Sequence, residues 1–309
     1  MVFVNSQMEN IPILEVKSLS KKFKDFQAVN NLSFTVNTGD VYGFLGPNGA
    51  GKSTTIRMIL SLIYPSNGDV FLFGNSIKTH RASIMKKVGA IVERPDFYGS
   101  LSAKKNLEIL AKMQMEEVSK NRISETLEWV GLLDRADSKV KTFSQGMKQR
   151  LGIAQALIHN PELIILDEPT NGLDPHGMKD IREMIISLNK DYNKTIFLSS
   201  HILSEVEILA NRMIIINKGE KLVEGNVNEI LLSGKQNLTV EVVDVNSAIS
   251  LINKSEYQQN FKSIEKNKIF LSLERNKVPE LNKFLVQNNI DILSITPTRT
   301  LEEFFLSLT

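Results

Sequence analysis

Cysteine is absent from all 309 residues. That excludes disulfides and thiolate metal sites, and it fits a reducing compartment. Charge imbalance is also absent, since 37 Lys and Arg stand against 35 Asp and Glu for a formal net charge of +2. Without a global basic field, nothing points to nucleic acid as a partner. No apolar run approaches the roughly 18 residues that span a bilayer. The first stretch, "MVFVNSQMENIPILEV", lacks a basic segment followed by a long apolar one, so no signal peptide is expected. Any work at a membrane would then go through a partner. What the chain does have is ordinary globular composition, 42% hydrophobic and 23% charged, enough for a sizeable core. Its length suggests about two domains of roughly 150 residues each.

The strongest local signal is "GFLGPNGAGKSTTIRMILSLI". Val41 to Leu45 reads as a short apolar strand. Ile56, Ile59, Leu60 and Ile63 then recur at helical spacing. Between them lie Gly46, Pro47, Asn48, Gly49, Ala50, Gly51, Lys52, Ser53 and Thr54, a strand–GxxxxGK[ST]–helix context that suits a phosphate loop. The glycines let backbone N–H groups converge on phosphate oxygens, and the helix N-terminus adds about half a positive charge. Lys52 would reach the β- and γ-phosphates of ATP, and the Ser53 hydroxyl would bind Mg²⁺.

Three further apolar runs end on polar groups. Leu163 to Leu166 ends on Asp167 and Glu168, placing two acids where open α/β sheets bind ligands. Asp167 would hold Mg²⁺ through water, and Glu168 would accept a proton from the attacking water. Thr195 to Leu198 leads to His201, a candidate γ-phosphate contact. Val88, Ala90, Ile91 and Val92 read as a covered strand ending on Glu93, before Pro95 opens a loop. Taken alone, an acid there reads first as a turn residue. "KTFSQGMKQRLGIAQAL" reads as a helix capped by Ser144, with Leu151, Ile153, Ala154 and Leu157 on its apolar face.

Taken in order, these motifs resemble the ATP-binding subunit of an ABC transporter. "FSQGM" at 143–147 stands in the place of the family's LSGGQ signature. It departs at Phe143, Gln145 and Met147 and keeps Ser144 and Gly146. The resemblance covers residues 12 to about 230 and implies a P-loop NTPase cassette with a parallel core sheet, an antiparallel N-terminal sheet and a helical subdomain. It also implies a head-to-tail homodimer with two ATP molecules in its interface, each phosphate loop facing Ser144 and Gly146 of the other subunit. Asp174 in "NGLDP" would lie on that seam. Phe23 matches the position that stacks on adenine; as a residue of the N-terminal sheet it reads equally as core. Glu93 stands where the family normally has Gln, in the loop that links the γ-phosphate and Mg²⁺ to the transmembrane partner, which implies a nucleotide- and Mg²⁺-binding role for it, and Glu there resembles the bacitracin- and lantibiotic-resistance branch. A carboxylate in place of an amide adds negative charge beside the metal.

A second unit is expected from about 236 to 309, after a cassette at 12–232 whose helical subdomain covers about 94–160. Its pattern, βαββαβ plus a helix, suggests a small ferredoxin-like α+β domain. It carries no cluster of His or acids. The expected activity is ATP hydrolysis powering an ABC exporter at the cytoplasmic face of the membrane, with separate integral-membrane permease subunits. Its cargo would be a peptide antibiotic, lantibiotic or similar amphiphile. A lipid, polysaccharide or surface-motility component is the alternative cargo. A soluble ABC ATPase acting on DNA or ribosomes is disfavoured by the single cassette without a long heptad insert.

Overall fold

Two long strands come first among the described residues, β1 (Pro12–Phe23) and β2 (Phe26–Asn37), joined by a tight turn that sets Phe23 opposite Phe26. The computed structural model describes residues 12–93, 95–114, 119–232, 235–298 and 301–306. Next come β3 (Val41–Leu45) and α1 (Lys52–Ile59). β4 (Asn67–Leu72) and β5 (Asn75–Ser76) join the first hairpin in a four-stranded antiparallel sheet of order β2-β1-β4-β5. After α2 (Ile77–Met85) the chain enters β6 (Val88–Ile91). A helical region follows, with α3 (Ala103–Gln114), α4 (Lys120–Trp129) and α5 (Gln145–Leu157). The chain returns through β7 (Leu163–Asp167), α6 (Pro175–Lys190), β8 (Thr195–Ser200), α7 (Leu203–Leu209), β9 (Arg212–Asn217) and β10 (Glu220–Asn226).

The central sheet has the order β10-β9-β3-β8-β7-β6. From β9 to β6 every pairing is parallel. Strands covered on both faces must be apolar throughout, and β3 and β8 are buried at every residue. The expectation of a covered strand at 88–92 needs correction. β6 is an edge strand, and Ala90 is exposed. Its short length and small side chain let one face stay open without presenting a large apolar edge.

Phe34 of β2 packs on Tyr42, Phe44 and Phe197, with ring centroids 5.8, 5.5 and 6.0 Å apart. These contacts tie the antiparallel sheet to β3 and β8. Each such ring pair adds about 0.5–1.5 kcal/mol beyond its burial. The Tyr42 hydroxyl donates to Glu224 at 3.0 Å. Burial first, and then Glu224, push the phenol well above its ordinary pKa, so it remains a donor. The turn between β9 and β10 places Lys218 and Gly219 at φ 48° and 82°, the positive pair that a tight hairpin needs.

The chain divides into two compact units, Met1–Gly225 and Asn226–Thr309. The division falls before α8 (Val227–Leu232), ahead of the linker expected near 232–236. The second unit continues with β11 (Lys235–Val242), α9 (Val245–Ile252), β12 (Phe261–Glu265), β13 (Lys268–Glu274), α10 (Val278–Gln287), β14 (Ile292–Thr298) and α11 (Leu301–Leu306). Its sheet has the order β12-β13-β11-β14, and all pairings are antiparallel. Alternation in β11 and β13 turns Leu238, Val240, Val242, Ile269, Leu271 and Leu273 into a core of their own, which Leu281 and Leu285 of α10 complete. No helix among the described residues is long and apolar enough to cross a membrane.

Candidate active site

The loop between β3 and α1 is shaped by glycines that no other residue could replace. A Cβ on Gly46 would stand 2.5 Å from the Ile216 carbonyl oxygen. Gly51 has φ 103°, and a Cβ there would stand 2.5 Å from the Ala28 carbonyl oxygen. The loop therefore lies directly on neighbouring backbone and leads straight into the N-terminus of α1. Lys52 is 5% exposed. Its Nζ donates to the Gly46 and Pro47 carbonyls at 2.8 and 3.3 Å, and it lies 3.3 Å from Glu168 Oε1.

β7 and β8 run in parallel register, with Asp167 beside Ser199. The Ser199 hydroxyl donates to Asp167 Oδ1 at 2.5 Å and accepts from the Glu168 N–H at 3.0 Å. Glu168 itself has φ 48°, an uncommon backbone for a non-glycine residue that the surrounding contacts must hold. Its Oε2 is 3.1 Å from His201 Nδ1 and accepts from Asn171 Nδ2 at 3.0 Å. Glu168 thus stands between the Lys52 ammonium, the His201 ring and the Asn171 amide. Ser199→Ala would strip a partner from both Asp167 and the Glu168 N–H. We expect a loss of about 1–3 kcal/mol in stability, read as a lower denaturation midpoint; an unchanged midpoint would show that solvent replaces the hydroxyl.

A cavity of about 440 Å³ is lined by Ser53, Glu93, Asp167 and Glu168, and by Gln145, Lys148 and Gln149 of α5. Among the described residues no group of three or more His, Cys, Asp or Glu converges as a metal cage. The hydroxyl of Ser53 and the carboxylate of Asp167 are hard oxygen donors on one cavity. They suit Mg²⁺, which binds through one or two protein groups and takes its remaining ligands from phosphates and water. Glu93 lines the same cavity but has φ 72° and pairs with Arg57 of α1.

The remaining candidates lie off this cavity. Ser144 is the N-cap of α5 and accepts from the Met147 N–H at 3.2 Å. Asp174 is the N-cap of α6 and accepts from the Gly177 N–H at 2.9 Å. The two helix starts adjoin, because a Cβ on Gly146 would come within 3.9 Å of the Gly177 Cα. Phe23 is 46% exposed at the β1–β2 turn, with Lys21 Nζ 5.0 Å above its ring, so its face lies at the surface rather than in the core.

Several groups escape sequence reasoning. Arg57, Asn171 and Ser199 touch the candidates, yet none of them carries a role in the motif that surrounds it. Gly152 is the exception, visible as a glycine in the interior of a helix. A Cβ there would stand 2.7 Å from Pro95 Cγ, so α5 packs against the loop that follows Glu93. At the other end of α5, Arg122 donates from Nε to the Ile158 carbonyl at 2.9 Å and from Nη2 to Leu157 at 2.7 Å. It caps the helix's negative end, and its guanidinium lies 4.4 Å from the Trp129 ring centroid.

The family described as "ABC transporter" matches residues 29–171. The bacitracin transport ATP-binding protein BcrA of Bacillus licheniformis is 43% identical over 297 residues, 96% of this chain and 97% of that protein. The lantibiotic transport ATP-binding protein SrtF of Streptococcus pyogenes is 42% identical over 212 residues, 69% of this chain and 90% of that protein. Among solved structures, a dimeric ATP-binding cassette in a post-hydrolysis state, bound to ADP and Pi, superposes with a TM-score of 0.62 at 25% identity. It covers 69% of this chain and 98% of its own.

Proposed function

The chain belongs to the ABC transporter family as an ATP-binding, ATP-hydrolysing subunit, and we propose that it powers an exporter of a peptide antibiotic. The observation that carries this reading is Glu168, held by His201 and Asn171 beside Lys52 at the end of β7. Phosphoryl transfer asks the protein mainly for positioning and charge stabilisation. The loop from Gly46 to Thr54 would bind the phosphates of ATP through its N–H groups, and Lys52 would exchange its carbonyl partners for phosphate oxygens. Glu168 would orient the attacking water and take its proton, while His201 fixes the carboxylate and reaches the γ-phosphate. Ser53 and Asp167 would hold Mg²⁺, which when bound neutralises charge on the phosphoryl oxygens. Ser144 and Gly146, at the N-terminus of α5, would complete the site of a second copy across a head-to-tail dimer, with Asp174 on the seam. Phe23 would stack on adenine.

The cargo assignment rests on similarity to BcrA and SrtF, whose names state bacitracin and lantibiotic transport. It implies integral-membrane partner subunits and a place at the cytoplasmic face of the membrane. The unit beyond Gly225 would add stability, with a regulatory or partner-contact role as the alternative; no metal-binding group of three or more His, Cys, Asp or Glu lies among its described residues. The test is deletion of the chain in its host, followed by growth under bacitracin and under a lantibiotic. We expect a severalfold drop in resistance to one of them, restored by the chain together with its membrane partner. Unchanged resistance to both would remove the cargo reading and leave the ATPase reading standing.

Glu93 is proposed to couple nucleotide state to that membrane partner. Glu93→Gln keeps the size and removes charge near the metal site. Mg²⁺ dependence should shift, while ATPase of the isolated subunit stays within about tenfold, roughly 1.4 kcal/mol in the barrier. Resistance in cells should fall further than that. Equal losses in both assays would place Glu93 among the catalytic groups.

A further inference from the structure

Glu205 lies in the first turn of α7, just beyond His201, and is 3% exposed. Thr170, 4% exposed, lies in the loop that runs from Glu168 to Asp174. The Thr170 hydroxyl donates to Glu205 Oε2 at 2.5 Å. The other carboxylate oxygen, Oε1, is buried and has no hydrogen-bond partner. A buried acid with half its acceptor capacity unused is a costly piece of scaffold. Plain space-filling would be served as well by an apolar side chain. The carboxylate does offer a stiffer tether than an amide, because O–H···O⁻ bonds are shorter and roughly twice as strong as neutral ones.

The position of that tether gives it a consequence. The segments that carry Glu168 and His201 are joined at the strand ends by the Ser199 hydroxyl, which bonds Asp167 and the Glu168 N–H, and by Glu168 Oε2, 3.1 Å from His201 Nδ1. Beyond Glu168 they are joined again by Thr170 and Glu205. Between Glu168 and Thr170 the backbone is tightly turned, with the Asn171 N–H on the Glu168 carbonyl at 3.1 Å and the Leu173 N–H on the Thr170 carbonyl at 3.2 Å. The contacts therefore close a ring from Glu168 through Thr170 to Glu205, and back along the chain to His201. Inside this ring sits the positive φ of Glu168, which persists only if its surroundings hold it.

We propose that Glu205 is a positioning residue for hydrolysis: through Thr170 it anchors the segment after Glu168 to the helix after His201, and so keeps the Glu168 carboxylate aimed. Small misplacements of a reacting group cost up to about 100-fold in rate even when binding is intact. The inference rests on the assignment of Glu168 to the attacking water.

The test uses the full chain and separates turnover from binding. Thr170→Val removes the donor at constant shape, and Thr170→Ser keeps it. We expect Thr170→Val to lower kcat by about 10- to 100-fold, with KM for ATP and the affinity for a fluorescent ATP analogue within about threefold of wild type. Thr170→Ser should restore kcat, and Glu205→Gln, with its weaker neutral bond, should fall between the two. In a Glu168→Gln background, Thr170→Val should cause no further loss, because the group it positions is already gone. Wild-type kcat in a folded Thr170→Val chain would overturn the proposal, as would an equal fractional loss with and without Glu168. Should Thr170→Val fail to fold, Glu205→Gln decides: a wild-type kcat there overturns the proposal, and a reduced kcat that is lost as a separate effect in the Glu168→Gln background supports it. Full turnover by Glu168→Gln alone would remove the underlying catalytic assignment, and this inference with it.

Discussion

Glu168→Gln is expected to reduce ATP turnover by about 10²- to 10⁴-fold, the usual worth of a positioned general base, while ATP still binds. The amide keeps the shape and can still accept from Asn171, whose Nδ2 lies 3.0 Å from Glu168 Oε2. It cannot take a proton from water. Phosphate contacts come from elsewhere, namely the loop N–H groups and Lys52, so affinity should hold. Charge should even favour binding, since the variant removes a carboxylate 3.3 Å from Lys52 Nζ and frees that ammonium for phosphate. The check is a pair of measurements on the purified chain, steady-state phosphate release and binding of a fluorescent ATP analogue. Turnover at the wild-type rate would remove Glu168 from its role. Loss of binding along with turnover would make it a nucleotide-site residue instead.

The second large effect concerns two variants that fail for different reasons. Lys52→Ala removes a subunit's own phosphate contact and takes away the ammonium that lies 3.3 Å from Glu168 Oε1. Ser144→Arg places a long charged side chain at the N-cap of α5 and removes the hydroxyl that accepts from the Met147 N–H. Each variant alone should lose activity by at least about 10²-fold, in the range seen when one group stabilising transition-state charge is removed. Mixed in equal amounts, some heterodimers would carry one intact composite site, built from an unmutated phosphate loop and an unmutated α5 start. Part of the activity should return on mixing. A mixture as inactive as its parts would mean either that each site is complete within one chain or that the two sites must fire together. The N-cap loss by itself should cost only about 1 kcal/mol of stability, so folding should survive.

Much of this site was legible because its parts lie at strand ends. Val41–Leu45, Leu163–Leu166 and Thr195–Leu198 are short apolar runs, and each hands over to a polar group where parallel sheets open. The glycine pattern around Lys52 was readable because backbone proximity and positive φ leave no other residue type. Partners that meet only through tertiary packing were not readable. Arg57 lies on the solvated side of a helix until the fold brings it to Glu93. Glu205 in a first turn looks like an exposed acid answering the helix dipole, yet packing buries it against Thr170. Ser199 is one hydroxyl in an apolar strand, and only parallel register with Asp167 gives it a role. Ala90 misled for the opposite reason, because a short apolar run reads the same in a central strand and at a sheet edge.

The central claim is that two copies close around ATP, each supplying half of the other's site. It is tested most directly by the solution mass of the Glu168→Gln chain in the presence of ATP and Mg²⁺, measured by size exclusion with light scattering. Binding without turnover should trap the closed state. The account predicts a dimer with ATP, reverting to monomer when ATP is withdrawn or when Ser144→Arg is added to the same chain. A monomer throughout, with ATP demonstrably bound, would contradict it.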